Sequence, residues 1–230
     1  MDAIRAWAAQ LDFGPLTELL IVAAACMICI TFHETCHGLA ALALGDPTAK
    51  RAGRLSLNPL KHVDPFGLLM LIVAKFGWAK PVPIDVRYFR NPKLGMAITA
   101  MAGPLSNVLL SAIAAACYTV SIFYSLWFEN AALETLAEFF YYVFYLSAGL
   151  AVFNLLPFPP LDGSKVVFSF LPKKWYWKLL RYERYGMFVL MALLLTGILD
   201  VPLNFLRDGL TGFLAPISEW TLELLTAIHS

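Results

Sequence analysis

The sequence predicts an all-α polytopic membrane protein, a bundle of about four to five transmembrane helices with a re-entrant or β-hairpin membrane loop. Three observations carry that prediction. Of the 230 residues, 60% are hydrophobic and 14% charged. The mean hydropathy is +0.69, well outside the range of soluble chains. The apolar residues also gather into runs of roughly 20, the length at which a helix crosses a bilayer.

The first run extends from Leu16 to Leu44 and stops at the turn signal Gly45-Asp46-Pro47, with His33, Glu34 and His37 as polar interruptions. Phe66 to Phe76 is apolar but only about half a membrane thick. The Gly77 to Pro83 stretch that follows cannot remain helical, so a re-entrant or hairpin loop is expected there. A second span covers Lys93 to Phe128, carrying Gly103-Pro104 and Asn107, and a third covers Leu136 to Leu156. Beyond Pro172, Tyr185 to Leu199 reads as a further span. Leu203 to Ile228, broken by Arg207, Asp208 and Glu219, either spans or lies at the interface.

Basic residues near span ends mark the cytoplasmic side. Lys50, Arg51, Arg54 and Lys61 follow the first span, Arg87, Arg90 and Lys93 precede the second, and Lys165, Lys173, Lys174 and Arg181 follow the third. The opposite ends carry Glu18, Glu129, Glu134 and Asp200, so the alternation is self-consistent. With no repeat, linker or secretory leader, residues 1–230 are expected to form one membrane domain, its core at about 16–171 and further helices at 172–230. A net charge of +1 without an aromatic-interleaved basic patch argues against nucleic acid as a partner. Cys26, Cys29, Cys36 and Cys117 all sit in apolar stretches and read as small buried hydrophobes.

His33-Glu34-Thr35-Cys36-His37 is an H-E-x-x-H motif inside a helix. Positions four apart share a face, so both imidazoles can address one metal ion, and Glu34 stands where it can take a proton from water. Three ionisable groups at bilayer depth cost several kcal/mol in an inert span, which favours a site over two packed histidines. A catalytic zinc site takes three protein ligands. The best third candidate is Asp162, in the proline-rich break Asn154-Leu155-Leu156-Pro157-Phe158-Pro159-Pro160-Leu161-Asp162-Gly163.

With these motifs the chain resembles the site-2 protease family of intramembrane metalloproteases. The likeness rests on the H-E-x-x-H span, on Asn154 to Gly163 as N-x-x-P-x-P-x-x-D-G, and on the stretches Gly53 to Pro65, Gly77 to Pro83 and Ala102 to Asn107, in that family's order over roughly residues 30 to 170. The resemblance implies one Zn2+ per chain held by His33, His37 and Asp162, Glu34 as general base, and a transmembrane protein as substrate. PDZ and nucleotide-sensing domains of larger relatives have no room here, so control is expected from a membrane partner, a homo-oligomer or the substrate.

His33 lies about 12 residues, some 18 Å, before the basic end of its span, so the site is expected within the bilayer towards the cytoplasm. Ile84 and Val86, with Val82, are candidates for an exposed edge on which an unwound substrate adds as a strand; a packed loop is the alternative. Asn107 and Asn154 are candidate site-lining groups, although gluing helices together is the commoner role for such amides. His62 and Asp64 suit loop hydrogen bonds, and Trp175, Tyr176 and Trp177 beside lysines suit an interfacial anchor. Two rival functions remain: an inactive scaffold, which predicts a lost ligand or base, and a metal or proton transporter, which predicts polar groups at several depths.

Overall fold

Helix ends follow local chemistry. A computed structural model describes residues 14–67 and 79–230. Helix α1, Gly14–Ala43, ends where Gly45 takes φ 101°. A single turn, α2, Thr48–Arg51, follows. Helix α3, Pro92–Phe128, begins with Asn91 accepting from Leu94 N–H and Pro92 in its first turn, and ends at left-handed Glu129. One residue later Asn130 caps α4, Ala131–Leu155, through Ala132 N–H. The break Leu156 to Leu161 leads into α5, Asp162–Ser169, then α6, Lys173–Leu195, and α7, Asp200–His229.

Three helices, α1, α3 and α4, are each long and apolar enough to span; α6 and α7 meet that measure only jointly, and Tyr185–Leu195 is bent 89° from α7. The count is therefore three or four, which reaches the lower end of the expected range. Tyr185 to Leu199 is not an independent span, because Gly197 at φ 70° turns the chain. Helix α7 packs lengthwise instead of lying off the bundle. Arg207 sits 4.3 Å over the Tyr145 ring of α4, Ser218 Oγ donates to Ala115 O, and His229 closes on Tyr124 and Trp127 at the far end of α3.

Helix α3 is the centre of the bundle. Gly95, Thr99, Gly103, Asn107, Ser111, Ala115 and Thr119 recur every four residues and are all buried, a seam of small side chains that lets α1 and α4 approach closely. Around it Ala25 and Cys29 of α1, Ala114 of α3 and Val143 of α4 form one apolar cluster.

The expected membrane loop falls largely on residues 68–78, outside the described residues. Its flanks are brought together by an antiparallel bridge between Val63 and Ala79, with Lys80 N–H donating to His62 O at 2.9 Å. No longer sheet pairing occurs among the described residues. Residues 79–85 then form a strap across the basic end of α1. Arg54 donates to Lys80 O at 2.6 Å, and Asp85 N–H donates to Asp46 Oδ2 at 2.7 Å. Asp46 is fully buried and also accepts from the backbone N–H and hydroxyl of Thr48. Val86 does not continue the strap as an extended edge. The Asp85 carboxylate accepts from Arg87 N–H and turns Val86–Tyr88 into a 3-10 helix. The basic residues meet at one end, as Arg51 reaching Tyr88 and Lys93 reaching Leu171 O illustrate.

Candidate metal centre

Residues 129 positions apart in the chain converge on one point. His33 Nε2 and His37 Nε2 are 3.0 Å apart, and Asp162 Oδ2 lies 3.2 Å from the first and 3.1 Å from the second. All three side chains are buried and the imidazoles meet edge-on at 89°. Ligand atoms about 2.0–2.1 Å from a tetrahedral zinc stand roughly 3.3 Å from one another, so the triangle is within a few tenths of an ångström of that geometry.

The donor chemistry also fits a cation. His37 Nδ1 is 2.7 Å from Thr99 O. A carbonyl only accepts, so Nδ1 carries the hydrogen and a neutral His37 presents a bare lone pair at Nε2. That lone pair faces a carboxylate oxygen and a second imidazole nitrogen, a buried donor set of the kind that holds a metal ion.

The local fold places each ligand. Helix α1 stacks His33 and His37 on one face. Asp162 opens α5, and Gly163 behind it is pressed so close to Leu155 and Leu156 that an added Cβ would stand 2.6 Å from Leu156 O. Gly103 of α3 is the floor beneath the rings; its Cβ would fall 2.6 Å from His33 Cε1 and closer still to His37 Nε2. Lys165 donates to Asp162 Oδ1 at 3.4 Å, leaving Oδ2 to the histidines, and lies 3.9 Å from Glu183 of α6. Burial pushes the Glu183 carboxyl above its ordinary range, with Lys165 opposing the shift and Asp162 adding to it.

A cavity of about 180 Å³ opens beside the three ligand atoms, bordered by Glu34, Val82, Ile84, Asn154 and Lys165 among others. Glu34 Oε2 accepts from Val82 N–H at 2.8 Å. Prolines on both sides of Val82 have no N–H, so that donor is the single one in the run from 81 to 83. Asn154 borders the cavity while donating to Leu150 O of its own helix. Asn107 is not on the cavity wall; it is fully buried behind His33. Val86, in its 3-10 turn, does not border the cavity.

The other polar and aromatic residues singled out in the sequence lie elsewhere. Cys29 Sγ contacts Val143 O, His62 is buried with Nε2 at Ser56 O, and Asp64 accepts from Phe66 and Gly67 N–H. Tyr176 is buried under Lys93, whereas Trp175 is exposed and carries Lys178 over its ring.

The roles of Thr99, Gly103, Val82, Lys165 and Asp46 escape sequence reasoning. Thr99 and Val82 act through backbone atoms, and a backbone carbonyl leaves no trace in residue type. The four-residue step from Thr99 to Gly103 to Asn107 is the signal that would have found the floor.

Comparison with known proteins decides the lineage. The sequence pattern of Peptidase family M50 matches residues 21–197. The chain belongs to peptidase family M50. This M50 chain is 37% identical over 211 residues to YwhC of Bacillus subtilis (strain 168), a candidate zinc metalloprotease by its name, covering 90% of this chain and 96% of that protein. It is 26% identical over 204 residues to Rip2 of Mycolicibacterium smegmatis, with 85% and 75% covered. Rip2 of Mycobacterium tuberculosis (strain H37Rv) is 25% identical over 234 residues, with 97% and 82% covered. Both Rip2 proteins carry the same kind of name. No solved structure matches at a significant level. The protein is thus an integral membrane member of the M50 zinc metalloproteases with a candidate His-His-Asp metal site.

Proposed function

We propose that this M50 protein hydrolyses a peptide bond in or near the transmembrane segment of a membrane protein, using one zinc ion held by His33, His37 and Asp162. The observation that carries the proposal is the convergence of those three ligand atoms beside a cavity that Glu34 borders. Bound zinc would lower the pKa of a water from 15.7 towards about 7 and polarise the scissile carbonyl.

The chain's own residues supply the rest. Val82 N–H holds one Glu34 oxygen, so the carboxylate is fixed with its other oxygen available to take a proton from water and return it to the departing amine. Lys165 holds Asp162 Oδ1, which keeps Oδ2 turned to the histidines. A cavity of about 180 Å³ is too small to take in a helix about 10 Å across, so a substrate would have to enter locally unwound. An added substrate strand would find backbone carbonyls and, between residues 81 and 84, the Ile84 N–H as its one donor, since Pro81 and Pro83 have none and Val82 gives its own to Glu34. The basic residues gathered at the same end support a site reached from the cytoplasmic side.

The test uses purified protein in detergent, its bound zinc, and cleavage of a single-span substrate by wild type, Glu34→Gln and Asp162→Asn. Glu34→Gln is expected to keep zinc and lose roughly 10²–10⁴-fold in cleavage, the usual worth of a general base. Asp162→Asn is expected to weaken both. Equal turnover by all three removes the assignment.

A further inference from the structure

Asn107 is a fully buried polar side chain beside the site, and the hydrolytic steps do not use it. It sits on the α3 seam one turn beyond Gly103, with its backbone carbonyl held by Ser147 Oγ of α4 at 3.0 Å. Its amide nitrogen is 3.2 Å from His33 Nδ1, while its Oδ1, equally buried, has no partner among the described residues. A half-turn of the carboxamide exchanges those two atoms and gives the orphaned oxygen the His33 ring N–H as a donor.

The other histidine says which orientation the site needs. His37 is fixed by an acceptor at Nδ1, the Thr99 carbonyl, which leaves Nε2 bare towards Asp162. His33 requires the same arrangement to offer a lone pair, and Asn107 is the group standing at its Nδ1. We propose that Asn107 is a positioning residue for the metal site: its Oδ1 accepts the His33 Nδ1–H and so holds the ring in the tautomer and orientation that direct Nε2 at zinc. Thr99 and Asn107, eight residues apart on one face of α3, thereby brace the two imidazoles from behind, with Gly103 between them. This rests on the zinc reading of the previous section.

The test is zinc affinity, measured by chelator competition on the full-length protein in detergent. Asn107→Leu keeps the volume and removes the acceptor, and is expected to weaken zinc by roughly 10- to 100-fold, the usual effect of losing such an outer partner. Asn107→Asp restores an acceptor and is expected to stay within about tenfold of wild type. A packing role alone would not give that rescue. With histidine labelled by nitrogen-15 in the zinc-loaded protein, the His33 Nδ1–H signal should be protected from exchange in wild type and lost in Asn107→Leu, while the His37 signal persists. Should Asn107→Leu fail to fold, Asn107→Ala removes the same acceptor without adding a branched chain. Wild-type affinity in the Leu or Ala variant, or equal loss in the Asp variant, overturns the inference alone. A wild-type protein that takes up no zinc overturns the zinc reading along with it.

Discussion

Replacing Gly103 by alanine tests whether α3 supports the imidazoles by contact. The new Cβ would stand 2.5 Å from His37 Cε1 and 2.6 Å from His33 Cε1, against the 3.4 Å at which ordinary contacts begin, so at least about 0.9 Å of relief is needed. Two movements can supply it. Shifting α3 back disturbs the seam it shares with α1 and α4, and overpacking of this kind costs about 1–3 kcal/mol. Rotating the rings moves nitrogen atoms by several times the roughly 0.2 Å that zinc–ligand distances tolerate. Gly103→Ala is therefore expected to lose at least about tenfold in zinc affinity, about 1.4 kcal/mol, with cleavage falling in step. Gly149→Ala is the control: its nearest neighbour, Arg207 Cδ, lies 4.0 Å away, and it should leave both quantities unchanged. Chelator competition and cleavage of a single-span substrate read the two variants side by side. Wild-type affinity in Gly103→Ala would refute the claim that this floor sets the ring positions.

Two further perturbations follow from the site's surroundings. Asp46→Ala strips the Asp85 N–H and the Thr48 donors of their acceptor, at about 1–3 kcal/mol for a buried group left unpaired. Limited proteolysis between residues 79 and 91 should accelerate, and an unchanged rate would mean the strap is held by its other contacts. Glu183 carries a carboxyl lifted above its ordinary value, so its ionisation opposes folding; the penalty sets in as pH rises through about 4.3 and is complete above the folded-state pKa. Glu183→Gln should therefore unfold at a higher temperature than wild type at pH 8 and at about the same temperature at pH 4, and a less stable variant at pH 8 contradicts the assigned cause.

What the sequence made legible was whatever is written in residue type and spacing. His33 and His37 announce themselves because a helix repeats near four residues, and Asp162 because it is the carboxylate in the proline-rich break that follows the third apolar span. The three apolar spans were legible for the same reason. The path of the last 60 residues was not: hydropathy reports whether a segment tolerates lipid, whereas the 89° turn after α6 depends on Gly197 and on how α7 meets α3 and α4. Val86 was a candidate for an extended edge with Val82 and Ile84, yet the Asp85 carboxylate two residues before Arg87 closes a local turn instead. The support beneath the rings was hidden because glycine and a main-chain oxygen act by what they leave room for.

The run of small residues along α3 has a consequence for the two imidazoles. The spacing that keeps Gly103 under the imidazoles is the spacing on which α1, α3 and α4 are fastened together, so the placing of the rings and the packing of the bundle are coupled. Off that seam lie the strap over Glu34 and the meeting of Lys165 with Glu183. A change anywhere along that seam is thus felt at the two histidines as well.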